Sequence, residues 1–441
     1  MKFFSPPFSQ QLFQSVYGAP PRLIGEPLIA APLGDSISAQ NSTTTSYSAT
    51  GYLTQLVIQT GRKFRFPLNY NFGWIGDTLA QIRTRSLPGA LASDAAVIFF
   101  LGGTNNDKTQ GATSIATMKA DASSIMAQIL LRRKIPVTLT LPPDSSLTAN
   151  GQLVRATHNN WLIDLGLGRP DLVAAAGLPC APIVSDINRY IADPATGAWK
   201  SGMSDDGKHP NAMGAYFMAK AIREDLEKVL VSHSYRPRRD YLDDYHATHN
   251  PTGSLLSGHS WTFEGVGGTK TMPGGGSTLI TGDVPTGWDV APGAPADSTT
   301  NIVCSKPDAN TLKLVFSASG AGGSINQYKV SQLGIGFGGD LSAGDRVFSE
   351  FAYDIISCNK LQTIMLLCQE VGSVSNQSFY DGHSVLAGLI PEPHSGVLRT
   401  DYLTLAPGSD QVRQYLFFHF DTTGGDHAGE INLTLPQTRK A

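Results

Sequence analysis

Apolar and polar positions alternate on two different periods along this chain, and the change of period divides it. In the first half, short continuous apolar runs are separated by amphipathic stretches. Leu28–Leu33 ends at Gly34, Ala95–Leu101 (AAVIFFL) ends at Gly102-Gly103, and Ile135–Leu141 (IPVTLTL) ends at Pro142-Pro143. Each reads as a buried strand. Between the last two, Ser114–Arg133 carries apolar residues at helical spacing and closes on Arg132-Arg133-Lys134, basic residues that suit a helix C-terminus. Asn211–Leu230 places Ala215, Met218, Ile222, Leu226 and Val229 on one helical face. Strands separated by helices predict parallel β-α-β units and a three-layer α/β domain over residues 28–235.

From residue 251 the long period disappears. Glycine clusters (Gly265-Val266-Gly267-Gly268, Gly274-Gly275-Gly276) separate short alternating runs such as Thr311–Ser317, Arg346–Ile355, Thr363–Leu367 and Gln414–Phe420. Many short strands with glycine and proline turns predict an all-β sandwich of jelly-roll type over 251–441. The polar, aromatic stretch 236–250 reads as the linker, and the Pro-rich residues 1–27 as an N-terminal arm.

Composition adds limits. The chain has 441 residues with 46 Gly and 27 Pro, which favours turns and β-structure in part of it. A net charge of −3 without a basic stripe argues against a nucleic-acid partner. No apolar run reaches the ~18 residues a membrane helix needs, so no membrane partner is expected. Pro6, Pro7, Gln10, Gln11 and Gln14 interrupt any signal-peptide core, so work outside the cell would need another export route. Cys180, Cys304, Cys358 and Cys368 read as structural thiols, with room for one bridge in the C-terminal half.

Candidate chemistry begins at Gly34-Asp35-Ser36, directly after a strand-like run, where α/β sheets place their sites. A serine hydroxyl needs a base to become a nucleophile. Asp206-Gly207-Lys208-His209-Pro210 supplies one: the Asp-x-x-His spacing lets a single loop present an imidazole and the carboxylate that orients it. Acyl transfer also needs donors for the developing oxyanion. Asn71-Phe72-Gly73-Trp74-Ile75-Gly76-Asp77-Thr78 and Gly103-Thr104-Asn105-Asn106 are loops able to provide them, with the Ser36 backbone N–H as a third source. Each piece alone has a plainer reading as a turn or helix cap; four in order, two of them after apolar runs, point to catalysis.

These four segments resemble the four blocks of the SGNH/GDSL hydrolases, over roughly residues 28–230. Gly34-Asp35-Ser36 is similar to the nucleophile block, Gly76 to the glycine block, Gly103-Thr104-Asn105-Asn106 to the Gly-x-Asn-Asp block and Asp206-x-x-His209 to the last. Asn106 departs from the usual Asp. The resemblance implies a flavodoxin-like fold, ester hydrolysis through acyl-Ser36 with Asp206 and His209 as the base pair, and an oxyanion hole of Ser36, Gly76 and Asn105. No cofactor is expected, and no metal either: Asp205, Asp206 and His209 lack further ligands at useful spacing.

Other motifs lack their context. Gly334-Ile335-Gly336-Phe337-Gly338-Gly339 fits a dinucleotide pattern but lies in the β-rich half. No Gly-x-Ser-x-Gly elbow and no His-Glu-x-x-His occur. In the sandwich, Trp261 and Trp288, with Tyr328 and Tyr353, are candidates for stacking on sugar rings, and the segments 282–288 and 343–347 are similar to those of carbohydrate-binding modules. The expected substrate is therefore a small acyl ester, an O-acetyl group on a polysaccharide. A second expectation is a bacteriophage tail or virion component that binds or deacetylates a host surface glycan, as a homo-oligomer, a trimer in that setting.

Overall fold

The computed structural model describes residues 27–44, 47–60, 63–106, 112–229, 248, 254–256, 263–271, 279–292, 299–319, 326–332, 334–336, 340–372, 377–381, 392–421 and 426–440. The expected N-terminal arm and linker thus lie almost wholly outside the described residues, as do Trp261, Gly274–Gly276 and the last three residues of the Gly334–Gly339 motif. The chain divides into two compact units, Met1–Tyr235 and Arg236–Ala441.

The first unit is built on a parallel sheet. Its strands are β1 (Leu28–Gly34), β2 (Phe64–Arg65), β3 (Phe72–Gly73), β4 (Val97–Leu101), β5 (Ile135–Leu139) and β6 (Ile183–Ser185), in the order β2-β1-β4-β5-β6. β3 also pairs with β1, at its C-terminal end. The central strands are apolar on both faces because both are covered. On one face, Ala31 and Leu33 of β1 and Ile98 and Phe100 of β4 share a core with Met118, Ile125 and Ile129 of helix α3 (Ala112–Leu131) and Leu162 and Leu165 of α4 (Ala149–Gly166). On the other, α1 (Ser36–Ala39) follows β1, and α2 (Tyr52–Gln59) packs against α5 (Ala212–Val229). The Tyr52 hydroxyl donates to the Phe99 carbonyl (3.4 Å) and the Gln59 amide to that of Tyr216 (3.0 Å). With helices on both faces of a parallel sheet, the unit has the expected three-layer α/β fold.

Two local departures from the expected helices carry information. The chain between Leu79 and Ala92 is one helical run whose middle, Ile82–Ser86, widens into a π turn. Arg132-Arg133-Lys134 fall after α3 rather than in its last turn: Arg133 takes φ +57°, and Lys134 Nζ reaches the carbonyls of Ser93 (2.6 Å) and Ala95 (2.7 Å).

The second unit contains two seven-stranded sheets. One is ordered 395–399, 346–359, 427–440, 311–319, 299–308, 279–282; the other 377–381, 361–372, 409–420, 326–332, 288–292, 269–270, and each gains one short extra strand. Successive strands often cross from one sheet to the other, and most pairings are antiparallel. Inner faces meet through aromatic contacts: Phe316 of the first sheet lies 5.4 Å from Tyr328 and 5.2 Å from Phe420 of the second, centroid to centroid. Trp288 of the second sheet packs edge-on against Phe351 of the first at 5.8 Å. This is a β-sandwich. Cys180, Cys304, Cys358 and Cys368 are thiols rather than disulfides, and Cys180, Cys304 and Cys368 are buried. Among the described residues, no helix is long and apolar enough to cross a membrane.

Candidate active site

The nucleophile candidate stands where the sheet order reverses. β1 lies between β2 and β4, and the loops leaving β1 and β4 part in opposite directions at their C-terminal ends, the usual place for a crevice in such sheets. Close packing fixes the exit from β1. A Cβ on Gly34 would sit 1.8 Å from the Leu101 carbonyl oxygen, so only glycine lets β1 and β4 approach this closely. Asp35 then breaks the strand and caps α1, its Oδ1 accepting the Ile37 N–H at 3.1 Å. Ser36 is the first residue of that helix.

Asp206 and His209 arrive from the other end of the unit. The Ser36 hydroxyl lies 2.9 Å from His209 Nε2, across 173 positions of sequence. His209 Nδ1 lies 2.7 Å from Asp206 Oδ2. Asp206 Oδ1 meanwhile accepts the backbone N–H groups of Lys208 and His209, both at 2.8 Å. Partial desolvation pushes the Asp206 carboxyl up, but the hydrogen bonds from the His209 ring and from these two N–H groups outweigh it, and the group is held well below the usual carboxylate range. An ionised carboxylate can only accept, so the shared proton sits on Nδ1 and Nε2 is left to accept from the Ser36 hydroxyl.

The 204–210 loop is fastened from outside. The Gly207 carbonyl accepts both the Ser145 N–H (2.8 Å) and the Trp199 indole N–H (3.1 Å). Gly207 has φ +75°, and a Cβ there would meet Ser145 Oγ at 2.0 Å. Asn211 then caps α5 by accepting the Gly214 N–H at 3.1 Å. Neither Trp199 nor Ser145 belongs to a block the sequence singles out, and no spacing signal marks them.

The two donor loops are tied to each other. Trp74 N–H bonds the Gly34 carbonyl (2.9 Å), and the turn from Trp74 to Asp77 closes through Asp77 N–H to the Trp74 carbonyl (3.2 Å). Gly76, at φ +83°, occupies the third position of that turn, with open space where a Cβ would be. The Asn105 side-chain amide donates to the Asp77 carbonyl (3.0 Å), and Asn106 Oδ1 accepts the Leu79 N–H (2.8 Å), capping the helical run. An asparagine oxygen serves that cap as an aspartate oxygen would. Gly76 and Asn105 are therefore held in one assembly beside β1 and β4.

Asp35 is wholly buried. Burial pushes its carboxyl up to about 6, against weaker pulls from the Ile37 N–H, the Thr104 hydroxyl and N–H, and the charge of His209.

The sugar-stacking candidates of the sandwich fall elsewhere. Trp288 is 0% exposed, and Tyr328 and Tyr353 are also buried; they are core aromatics with no face to offer a ligand, which corrects that expectation. Trp261 lies outside the described residues. Among the described residues no group of three His, Cys, Asp or Glu side chains is placed to hold a metal.

Residues 33–216 match the GDSL-like Lipase/Acylhydrolase family. This stretch belongs to that family. The N-terminal unit is thus a carboxylic ester hydrolase, and Ser36, Asp206 and His209 all fall within its GDSL-like segment. No curated protein matches the chain. Among solved structures, the chain is similar to a GDSL-like lipase from Bacteroides thetaiotaomicron (14% identity, 50% of this chain and 98% of that one, TM-score 0.35). It is also similar to a catalytic mutant of an acetylxylan esterase from Geobacillus stearothermophilus (14% identity, 47% and 99%, TM-score 0.36).

Proposed function

We propose that the protein is a serine esterase that removes a small acyl group, an O-acetyl, from a carbohydrate. The continuous hydrogen-bonded line Ser36–His209–Asp206 is the observation that carries the catalytic part. In this reading His209 Nε2 takes the hydroxyl proton as Ser36 Oγ attacks the ester carbon. The resulting imidazolium faces the ionised Asp206 and then returns the proton to the departing alcohol. Water, deprotonated by the same nitrogen, releases the acid from acyl-Ser36. The Ser36 and Gly76 N–H groups and the Asn105 amide are the oxyanion donors of this reading, each worth about 3 kcal/mol in the transition state. The carbohydrate part is supported by the exposed aromatic ring of Trp74, in the turn that holds Gly76, taken up below.

The test is hydrolysis of p-nitrophenyl acetate and octanoate by wild type and Ser36→Ala. Turnover of acetate well above octanoate, lost in the variant by at least about 10³-fold, is the expected result. Wild-type rates in Ser36→Ala would remove the serine from the mechanism. Preference for octanoate would leave an esterase but not one for acetyl groups.

A further inference from the structure

We propose that Trp74, with Ile75 beside it, is the platform on which a pyranose ring of the substrate's alcohol part stacks while its ester reaches Ser36; this rests on the esterase reading above. Four observations converge on it. Trp74 is 56% exposed and Ile75 78% exposed, the apolar surface flanking Gly76. Of the other tryptophans described, Trp161 and Trp288 are buried and Trp199 spends its indole N–H on Gly207.

The position of Trp74 is bound to that of the nucleophile. Its N–H is bonded to the Gly34 carbonyl, two residues before Ser36, and its carbonyl closes the turn that holds Gly76. The backbone that carries the indole is thus tied at one end to the strand leading into Ser36 and at the other to the turn that holds Gly76.

The ring is also braced. The Arg85 guanidinium lies over the indole, 5.0 Å from its centroid, and Arg85 Nη1 is held by Asp77 Oδ1 at 2.8 Å. The Asp77 side chain is 2% exposed, so the brace is anchored in the interior. A large apolar ring that folding leaves exposed, yet fixes by a cation–π contact and an ion pair, has little orientation left to lose on binding.

Arg85 covers one face of the ring and leaves the other to the ligand. A pyranose presents that face a flat set of C–H groups and keeps its hydroxyls in water at the rim, whereas a flexible alkyl chain would lose rotamer freedom to cover the same area.

The experiment compares two acetyl esters of primary alcohols, 6-O-acetylglucose and ethyl acetate, by acetate release in the full-length protein. In wild type, 6-O-acetylglucose is expected to have the higher kcat/KM. In Trp74→Ala the ratio of the two kcat/KM values falls about tenfold, mostly through the KM of the sugar ester, as loss of one buried ring face requires. Trp74→Tyr keeps most of the ratio. An unchanged ratio in Trp74→Ala overturns the proposal, as does a wild type with no preference for the sugar ester. A loss that grows from p-nitrophenyl acetate to octanoate also overturns it, because the indole would then line the acyl chain. Ser36→Ala separates the two readings: it abolishes both acetate esters if the esterase reading holds, whatever Trp74 does.

Discussion

Gly207 sits between Asp206 and His209, the base pair of the proposed mechanism, and its carbonyl is clamped by the Ser145 N–H and the Trp199 indole. Trp199→Phe keeps a ring and removes one donor, worth about 1 kcal/mol. The expected result is a kcat lowered about fivefold with KM little changed. Equal losses in kcat and folded fraction, followed by circular dichroism, would make Trp199 a packing residue only. Asp35 gives a different test. Its carboxyl is raised from 3.8 to about 6, so the folded chain holds a proton that the unfolded chain has already released between those values. The Asp35 contribution to stability therefore falls as pH rises from about 4 to about 6 and is constant on either side, a cost of about 3 kcal/mol above that window. Asp35→Asn retains the Oδ1 acceptor for Ile37 and removes the charge. Its melting temperature relative to wild type should rise across that window; parallel curves would show that Asp35 does not titrate there. At this scale the sequence was informative where chemistry dictates spacing, as in Asp206-x-x-His209. It was uninformative about exposure: Trp288 and Trp74 are the same residue type, and only the fold buries one and bares the other.

Elements were legible wherever burial is two-sided. AAVIFFL contains β4, and the apolar run at 28–33 is β1, because a central parallel strand has no polar face to interrupt it. Helix α4 was not legible, for the opposite reason. Its inward face includes Arg155, which donates to the carbonyls of Pro142 (3.0 Å) and Gly197 (3.0 Å), and His158, which burial with the nearby Lys119 charge holds down to about 3. Buried polar residues break the apolar period on which such a reading depends. The junction of β3 with α1 is a sharper constraint. A Cβ on Gly73 would lie 2.1 Å from the Ala39 N and 2.4 Å from the Ser38 carbonyl carbon, both backbone atoms. Gly73→Ala must move the helix that begins with Ser36. A loss of roughly 2–4 kcal/mol in stability and a fall in kcat are expected together, measured by calorimetry and kinetics. A variant with wild-type kcat would show that the helix can shift without taking Ser36 with it.

Over the whole molecule, the hydrogen-bonded Ser36, His209 and Asp206 come from one unit, while the other is a β-sandwich with its own aromatic core. Residues 1–235 alone are expected to retain the ethyl acetate kcat of the full chain; a fragment that folds without activity would assign the sandwich a part in catalysis. Inside the sandwich, burial pushes the thiols of Cys304 and Cys368 up to about 12. Both should stay unmodified by iodoacetamide at pH 8 until the sandwich unfolds, as read by mass spectrometry. The sandwich was legible as a class from its short alternating runs. Which aromatic residues its two sheets enclose depends on strand order, which no local pattern records.

The π turn at Ile82–Ser86 has a genetic consequence. It holds one residue more than the α-helical turns on either side, and each helical residue advances the side chains by about 100°. Deleting one codon there would close the helix to regular geometry at little cost to its packing, while swinging Arg85 off Asp77 and away from the indole. The brace can thus be gained or lost in one small mutational event, leaving the hydrolytic machinery in place. On the stacking role proposed for Trp74, substrate choice in such a lineage drifts by insertion and deletion rather than by replacement of residues around the serine.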